Sequence, residues 1–547
     1  MVTAVGLSFL SFAVTAQSVP AKRLIAFGWE FGGTSLANFA AHADQFDSMP
    51  FDGIGFHLAA RLPEGTRIRS RTIMHDPPWT RDAFARQIAS YRTLTSRKAL
   101  RCSFVGSFRS PTNRIDWTDD AAWGRIATNV AVSAWVAKEG GFAGLSVDPE
   151  DYRHVRQFTQ DPGDPQYDRL CEIVRRRGAE VFGAAFGEYP EMTMFCFWGF
   201  SWLHDWLLRT DDPLSAAREE GNLWIAFLNG VLDVMPASVR FVDANENSYR
   251  FSAEKNDYFA DAWRKRSELL AYVAPENRER YLHCLRSGSA LYLDMYCNPP
   301  ESAWYKEPVG GLRMERMRQD FGQAWRASEG FVWLWGERGS WIDWRQKDWV
   351  GAMTNWESRL PGVTFMLNAM KDPVGMFDRC IAQQTASGML SNLVENASCD
   401  SRDTTVPKPY GTWHSSKDGS GRFFADPRGG TDGGCCLVAE GVGYGCFSVN
   451  AVGVRPGEWY GVAVNCKGDS AIVNVAWRGK NGKYAGSSQN PVSRPPAGAD
   501  GWSRPRTVVC VPPGASVLNL TFGVRNQGKG VRTRFDDIAI LRLAPDR

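Results

Sequence analysis

The segment Gly141–Tyr152, GFAGLSVDPEDY, sets two acids two positions apart at the end of an apolar run. With the period of two of a β-strand, Ser146, Asp148 and Glu150 share one face and Leu145 and Val147 the other. Leu145 and Val147 suit contact with covering helices. Asp148 and Glu150 then stand side by side at the strand's C-terminal end. Charged side chains are costly inside a fold unless they are paired or used. Neighbouring carboxylates at such a place therefore point to proton chemistry. The structural alternative for Asp148 is a turn cap ahead of Pro149.

More acids and rings fall at other predicted strand ends: Trp29, Glu30, His57, Asp243, Asn245, Glu246, Asp294, Tyr296, Trp335 and Glu337. Alternation groups Phe241 with Asp243 and Asn245, Tyr292 with Asp294 and Tyr296, and Trp333 with Trp335 and Glu337. An acidic pocket walled by aromatic rings suits cleavage of a glycosidic bond. That reaction needs a carboxylic acid to protonate the leaving oxygen and a carboxylate to meet an oxocarbenium-like transition state. Crowding raises the pKa of at least one such acid and keeps it protonated near neutral pH. Glu150 is the expected general acid/base, with Asp148 tuning it and Asp294 or Glu337 opposing it. Trp29, Glu30, His57, Asp243, Asn245, Glu246, Tyr296 and Trp335 are the expected sugar contacts. Structural uses compete: a core histidine for His57, an ion pair with Arg338 for Glu337, an Asx-rich loop for Asp243–Glu246, and core rings for Trp29 and Trp335.

Positioning these groups on one basin requires a particular scaffold. Apolar strand patterns occur at Leu24–Glu30, Gly53–Leu58, Arg101–Phe108, Phe142–Asp148, Met192–Trp198, Val239–Asn245, Ala290–Tyr296 and Phe331–Glu337. Helical patterns lie between them, including Thr80–Thr93, Ala121–Lys138, Tyr167–Ala184, Ala253–Val273 and Met314–Arg326. Eight strands alternating with helices predict an α/β fold, a (β/α)8 TIM barrel over residues 22–385. An open doubly wound sheet is the competitor, but no GxGxxG turn follows the first strand. Gly28, Gly55 and Gly144 each stand two residues before Glu30, His57 and Ser146, as a crowded barrel interior requires. In such barrels the C-terminal strand ends carry the chemistry.

Helical periodicity stops near residues 385–409, where Ser, Asp, Thr and Pro accumulate and mark a domain edge. Residues 390–545 are rich in Gly and Val, with short alternating strands at Cys446–Val452, Tyr460–Asn465, Ala471–Ala476, Thr507–Val511, Val517–Val524 and Asp537–Leu543. Turn signals at Pro456-Gly457, Asn481-Gly482 and Pro513-Gly514 separate them, so this region reads as an all-β sandwich.

The length of 547 residues fits two or three domains. A formal net charge of +3 gives no reason to expect nucleic acid or an anionic membrane as partner. The 22 Trp, 31 Phe and 15 Tyr serve either a large core or sugar binding. Residues 1–16 read as a secretory signal ending at Ala16, so the chain is expected to be secreted or periplasmic, with no integral membrane partner. Six of the twelve cysteines lie between Cys399 and Cys510, where export would permit disulfides. Cys102, Cys196 and Cys297 sit in apolar runs and read as buried small hydrophobes. Seven His without HxH or HExxH, and no GxSxG elbow or phosphate loop, argue against metal, serine or phosphoryl chemistry. No catalytic cofactor is expected.

Taken together, the chain resembles bacterial glycoside hydrolases with a (β/α)8 barrel followed by a jelly-roll carbohydrate-binding module. GFAGLSVDPEDY is similar to the fourth-strand motif of chitinase-like enzymes. That likeness implies Glu150 as general acid and Asp148 as its assistant. Ser146 and Pro149 stand where that family has Asp and Trp. The clan of retaining barrel hydrolases is the other template, implying Glu150 as acid/base and Asp294 as nucleophile. GFVWLWGERGSW resembles an aromatic-rich eighth strand of such enzymes and makes Glu337 the reserve partner. In the tail, Asn392–Asn396 and Phe535–Ala539 resemble the opening and closing strands of jelly-roll modules. There the resemblance implies a structural calcium near Asp536 or Asp537, and Trp413, Trp477 or Trp502 as sugar platforms. The alternatives are a glycan-binding protein with an inactive barrel and a polysaccharide lyase.

Overall fold

The computed structural model describes residues 21–543 except 110, 152–154, 204–209, 345–349, 416–420, 489–491 and 493. The export-signal reading of residues 1–16, and Tyr152 of the acidic segment, lie outside the described residues.

Eight parallel strands close into a barrel: β1 Arg23–Gly28, β2 Gly53–Phe56, β3 Phe104–Arg109, β4 Gly144–Asp148, β5 Thr193–Cys196, β6 Arg240–Asp243, β7 Leu285–Tyr292 and β8 Phe331–Gly336. Each pairs with its sequence neighbours, and β1 meets β8 from Arg23↔Phe331 to Gly28↔Gly336. Each expected strand is present, with shifted ends, in an architecture consistent with a TIM-like fold. Helices α1 Asp120–Glu139, α2 Tyr167–Glu188 and α3 Trp224–Val234 pack side by side. Asp119 caps α1 by accepting the Ala122 N–H. The single helix expected over Ala253–Val273 is instead broken at Asn256, whose φ of 59° interrupts it. Only α4, Asp257–Arg266, and short 3₁₀ turns remain there.

The barrel interior is a packed aromatic plug. Phe197 stacks on Trp333 at 4.3 Å, and Phe27 meets Phe197 at 4.9 Å and Phe195 at 5.3 Å. Gly55 is required here, because a Cβ at that position would lie 2.3 Å from the Phe27 ring. This plug forms the floor on which the acids at the strand ends stand.

Residues after about 390 form two antiparallel sheets. One runs Gly411–His414, Tyr444–Val452, Val517–Arg525, Ala471–Arg478, Tyr484–Ser487. The other runs Arg422–Asp426, Cys436–Glu440, Arg532–Leu543, Trp459–Lys467, and the last also pairs with Trp502–Ser503 and Arg506–Cys510. Phe447 and Phe522 of the first sheet meet Phe535 of the second at 6.0 and 5.4 Å, so the sheets share one core. Asn392 fastens the opening segment to the closing strand, donating to the Ile538 carbonyl and accepting the Ile540 N–H.

One expectation changes here. Among the described residues no disulfide joins any of the twelve cysteines, so those expected between Cys399 and Cys510 are not formed. Cys196 is fully buried as expected, whereas Cys102 and Cys297 are only partly so. Asp536 accepts the Thr431 N–H and hydroxyl and the Asp537 N–H, and Asp537 accepts from Asn465. Among the described residues no group of three or more His, Cys, Asp or Glu is placed to share an ion.

Candidate active site

The C-terminal ends of the barrel strands enclose an acidic basin. Ser146 and Asp148 of β4 point inward as the alternation required, while Leu145 and Val147 join the helix-covered core. Asp148 is 7% exposed and pairs with Arg109 at 3.1 Å. That pairing depends on an irregularity in β3. The register skips from Ser107↔Val147 to Arg109↔Asp148, and Phe108, at φ 57°, turns out against Phe182 and Phe227. Without the bulge, alternation would put Phe108 inside and Arg109 outside. Asp148, Arg109, His57 and Trp335 line a pit of about 20 Å³, room for one water. Burial, then Arg109 and Arg71, pushes His57 down to about 3, so the ring is neutral, and its buried Nδ1 has no partner among the described residues. It is set to accept a hydroxyl or water proton.

Glu246 is the electrostatic centre of the basin. It follows β6 through Asn245, whose φ of 43° turns the chain, and its N–H donates to the Phe197 carbonyl at 3.0 Å. Trp198 Nε1–H donates to Glu246 Oε2 at 2.6 Å. Burial first, then the charges of Asp148, Glu150 and Glu337, push the Glu246 carboxyl up to about 8. Strand ends β4 and β8 thus bring their carboxylates to the one carried after β6, and burial and those charges raise it.

Glu337, just past β8, accepts Trp335 Nε1–H at 3.0 Å and shares a hydrogen bond with Tyr292. Tyr292 and Tyr249 stand 5.4 Å apart, and Trp304, 39% exposed, packs on Tyr292 at 5.6 Å with the Arg250 guanidinium 4.3 Å from its ring centre. Glu150 acts on the same group of charges from a backbone at φ 43°. Phe108, Glu150 and Asn245 are non-glycine residues in the left-handed region, all at the ends of strands facing this basin. Such strain gathers where a site over-determines the backbone.

Several expected contacts lie elsewhere. Asp243 and Asn245 do share a face, but it is the outer one, because Val242 and Ala244 are the inward residues of β6. Asp243 accepts Ser201 N–H at 3.0 Å and lies 4.0 Å from Lys265, and Asn245 donates to Asp261 at 2.7 Å. Lys265 bonds Asp261 at 2.6 Å and the Gly288 carbonyl at 2.8 Å, all beneath α4. This buried knot anchors the turn that presents Glu246. Lys265→Met should leave two buried carboxylates uncompensated and cost about 3–5 kcal/mol. A urea midpoint unchanged from the parent would refute that role for the lysine.

Asp294 is also structural. After Tyr292 the chain enters a 3₁₀ turn, Leu293–Tyr296, which ends the alternation. Asp294, fully buried, accepts the Glu337 N–H at 2.9 Å and faces Arg359 at 3.4 Å, so it fixes Glu337 rather than opposing Glu150. Tyr296 donates to Asp320 at 2.9 Å, outside the barrel interior. Glu30, buried, accepts the Trp341 and Ile342 N–H groups and Trp344 Nε1–H, tying β1 to the loop after β8. Burial still pushes its carboxyl up to about 8 against those donors. Trp29, 48% exposed, stands on the short helix after β1, and Trp335 lines the pit. Arg109, Trp198, Tyr249 and Trp304 were not foreseen. Trp198 closes a predicted strand and was within reach of the sequence pattern; the bulge that delivers Arg109 was not.

In the C-terminal sheets Trp477 is core, Trp502 is partly buried, and Trp413 is 53% exposed beside Tyr444 at 5.5 Å.

No family model and no curated protein matches the sequence. Solved structures do. A Clostridium thermocellum endo-1,4-β-D-xylanase 10B, comprising CBM22-1 and GH10 modules with xylohexaose, shares 13% identity over 25% of this chain and 27% of its own, with a TM-score of 0.20. TmCBM61 in complex with β-1,4-galactotriose shares 13% identity over 28% of this chain and 99% of its own, at 0.21. The enzymatically active domain of bacteriophage CBA120 tailspike protein 4 shares 13% over 28% of this chain, at 0.21. This chain spans about a fifth of that tailspike domain and about a quarter of the xylanase. Among the described residues no helix is long and apolar enough to cross a membrane.

Proposed function

We propose that the chain is an exported glycoside hydrolase, secreted or periplasmic, that cleaves a polysaccharide or its oligosaccharides in the barrel basin. The observation that carries this reading is the gathering of Glu246, Asp148, Glu150 and Glu337 at the ends of β4, β6 and β8 among aromatic walls, where burial and the neighbouring carboxylates raise the Glu246 carboxyl. Glu246, rather than Glu150, is the general acid that protonates the leaving oxygen. Glu337, fed by donors from Trp335 and Tyr292, is the carboxylate that meets the developing positive charge. Glu150, Asp148 with Arg109, and His57 hold the sugar's hydroxyls. The C-terminal sheets form a jelly-roll carbohydrate-binding module, with exposed Trp413 as the platform ring and half-buried Tyr444 beside it.

Incubation of the protein with xylan, cellulose, β-galactan and chitin oligosaccharides should release new reducing ends. Products with ultraviolet-absorbing unsaturation would instead make the protein a lyase. Affinity without any product would make it a glycan-binding protein.

A further inference from the structure

A basic hairpin stands on the rim of the basin. After β2 the chain passes His57 and runs out and back through two short antiparallel strands, Ala59–Arg61 and Arg67–Arg69. Ser70 ties the base of this hairpin to Leu58, donating its N–H to the Leu58 carbonyl and accepting the Leu58 N–H at its hydroxyl, both at 2.9 Å. Ala60 and Ile68 are buried and fix the inner face. Arg61, Arg67 and Arg69 share the opposite, exposed face, and Arg71 follows them, also exposed. Arg61 and Arg67 stand directly across from one another. Like charges so placed destabilise a strand pair. Few acids offset them. Glu64 is the one acid between Leu58 and His75, and buried Asp76 is taken up by the Arg69 N–H and the Trp79 indole. Among the described residues no carboxylate forms an ion pair with Arg61, Arg67 or Arg69, and Arg61 donates to the Gly65 carbonyl at 3.0 Å. Arg71 carries the row to the basin. Its Nη2 and the Nε2 of His57 both lie within 4 Å of the point that a Cβ on Gly32 would occupy, and its charge is one of those that keep His57 neutral.

We propose that this arginine row is a subsite for the anionic groups of an acidic polysaccharide, uronate carboxylates or sulfate esters, whose uncharged sugars enter the basin. The proposal rests on the glycan reading above. Guanidinium forks match such oxyanions bidentately. The carboxylates of the basin disfavour an anionic group over Glu246, so the charge of the substrate falls beside the hairpin. Continuity with the basin at His57 favours a glycan over a nucleic acid. The test uses the full chain carrying Glu246→Gln to suppress turnover, with and without Arg61→Gln, Arg67→Gln and Arg69→Gln together. Calorimetry compares glucuronoxylan oligosaccharides with xylohexaose, which reads the carboxylate, and κ-carrageenan oligosaccharides with their desulfated forms, which reads the sulfate. At least one acidic ligand should bind more tightly than its neutral match. The three substitutions should weaken it by roughly 3- to 100-fold, the summed scale of three exposed ion pairs, and leave the neutral match unchanged. Added salt should weaken the acidic ligand on the parent far more than on the variant. Arg67→Gln alone should cost roughly 1.5- to 5-fold, the scale of one such pair, and reads the subsite even if the triple variant does not fold. No preference for either acidic ligand, a preference that survives the substitutions, or equally tight binding of duplex DNA would overturn the proposal. Wild-type protein that keeps the acidic preference but cleaves none of these glycans would overturn only the hydrolase reading. Cleavage of acidic and neutral chains alike, with equal affinity, would overturn only the subsite.

Discussion

Glu246→Gln is expected to lower kcat by roughly 10²–10⁴-fold, the range of a lost general acid, with the fold intact. The loss should depend on the leaving group. An aryl glycoside whose phenol leaves without protonation needs no acid, so the variant should cleave it at a rate much closer to the parent's. The pH profile supplies a second readout. Parent activity requires the protonated form of a carboxyl that burial and Asp148, Glu150 and Glu337 push up to about 8, so activity should fall as pH rises through about 8. That limb should vanish in the variant. The sign for stability runs the same way. Between the ordinary value of 4.5 and about 8 the folded state binds more protons at this site than the unfolded state does. The parent therefore loses stability across that window as pH rises. Gln cannot ionise, so the variant should be the more stable protein in urea at pH 9. Parental turnover with the alkaline limb retained would remove Glu246 from the mechanism and return the acid role to Glu150.

Glu337→Ala is expected to cost roughly 10²–10³-fold in kcat, the scale of one preorganised electrostatic contact to a charged transition state. It also removes one of the negative charges that raise Glu246, so the alkaline limb should move to lower pH. This shift separates a role in the basin from simple damage to the loop after β8, which would change rate and leave the limb in place. Added azide discriminates further. If Glu337 is the nucleophile of a retaining reaction, the parent releases a product of retained configuration, whereas azide in the vacated space of the variant displaces the leaving group once and yields a glycosyl azide of inverted configuration; if it is the base of an inverting one, the parent's own product is already inverted. Turnover near the parent's and an unmoved limb would exclude Glu337 as the opposing carboxylate.

The scaffold was legible because strand and helix periodicities are local. The eight apolar runs from Leu24 to Gly336 mark all eight barrel strands, and the turn signals after Pro456 mark the antiparallel sheets. Alternation also placed Ser146 and Asp148 inward and Leu145 and Val147 outward. The same rule grouped Asp243 and Asn245 correctly yet on the wrong side. Parity says which residues share a face; it does not say which face meets the core. Two equally buried faces, one toward the barrel axis and one toward α4, read alike in sequence when the strand is buried on both sides.

Residue order alone therefore determined that parallel strands alternate with helices and that several acids stand at their C-terminal ends. Tertiary structure decided which of those acids meet. The bulge at Phe108 delivers Arg109 to Asp148, and the 3₁₀ turn after Tyr292 withdraws Asp294 to hold the Glu337 backbone. The left-handed turn at Asn245 lifts Glu246 into the basin. Each is a change of backbone direction over one to four residues, stabilised by partners tens of positions away, and local periodicity carries no trace of it. The raised proton affinity of Glu246 is decided last, since it depends on burial and on charges from two other strand ends brought to it only when the barrel closes.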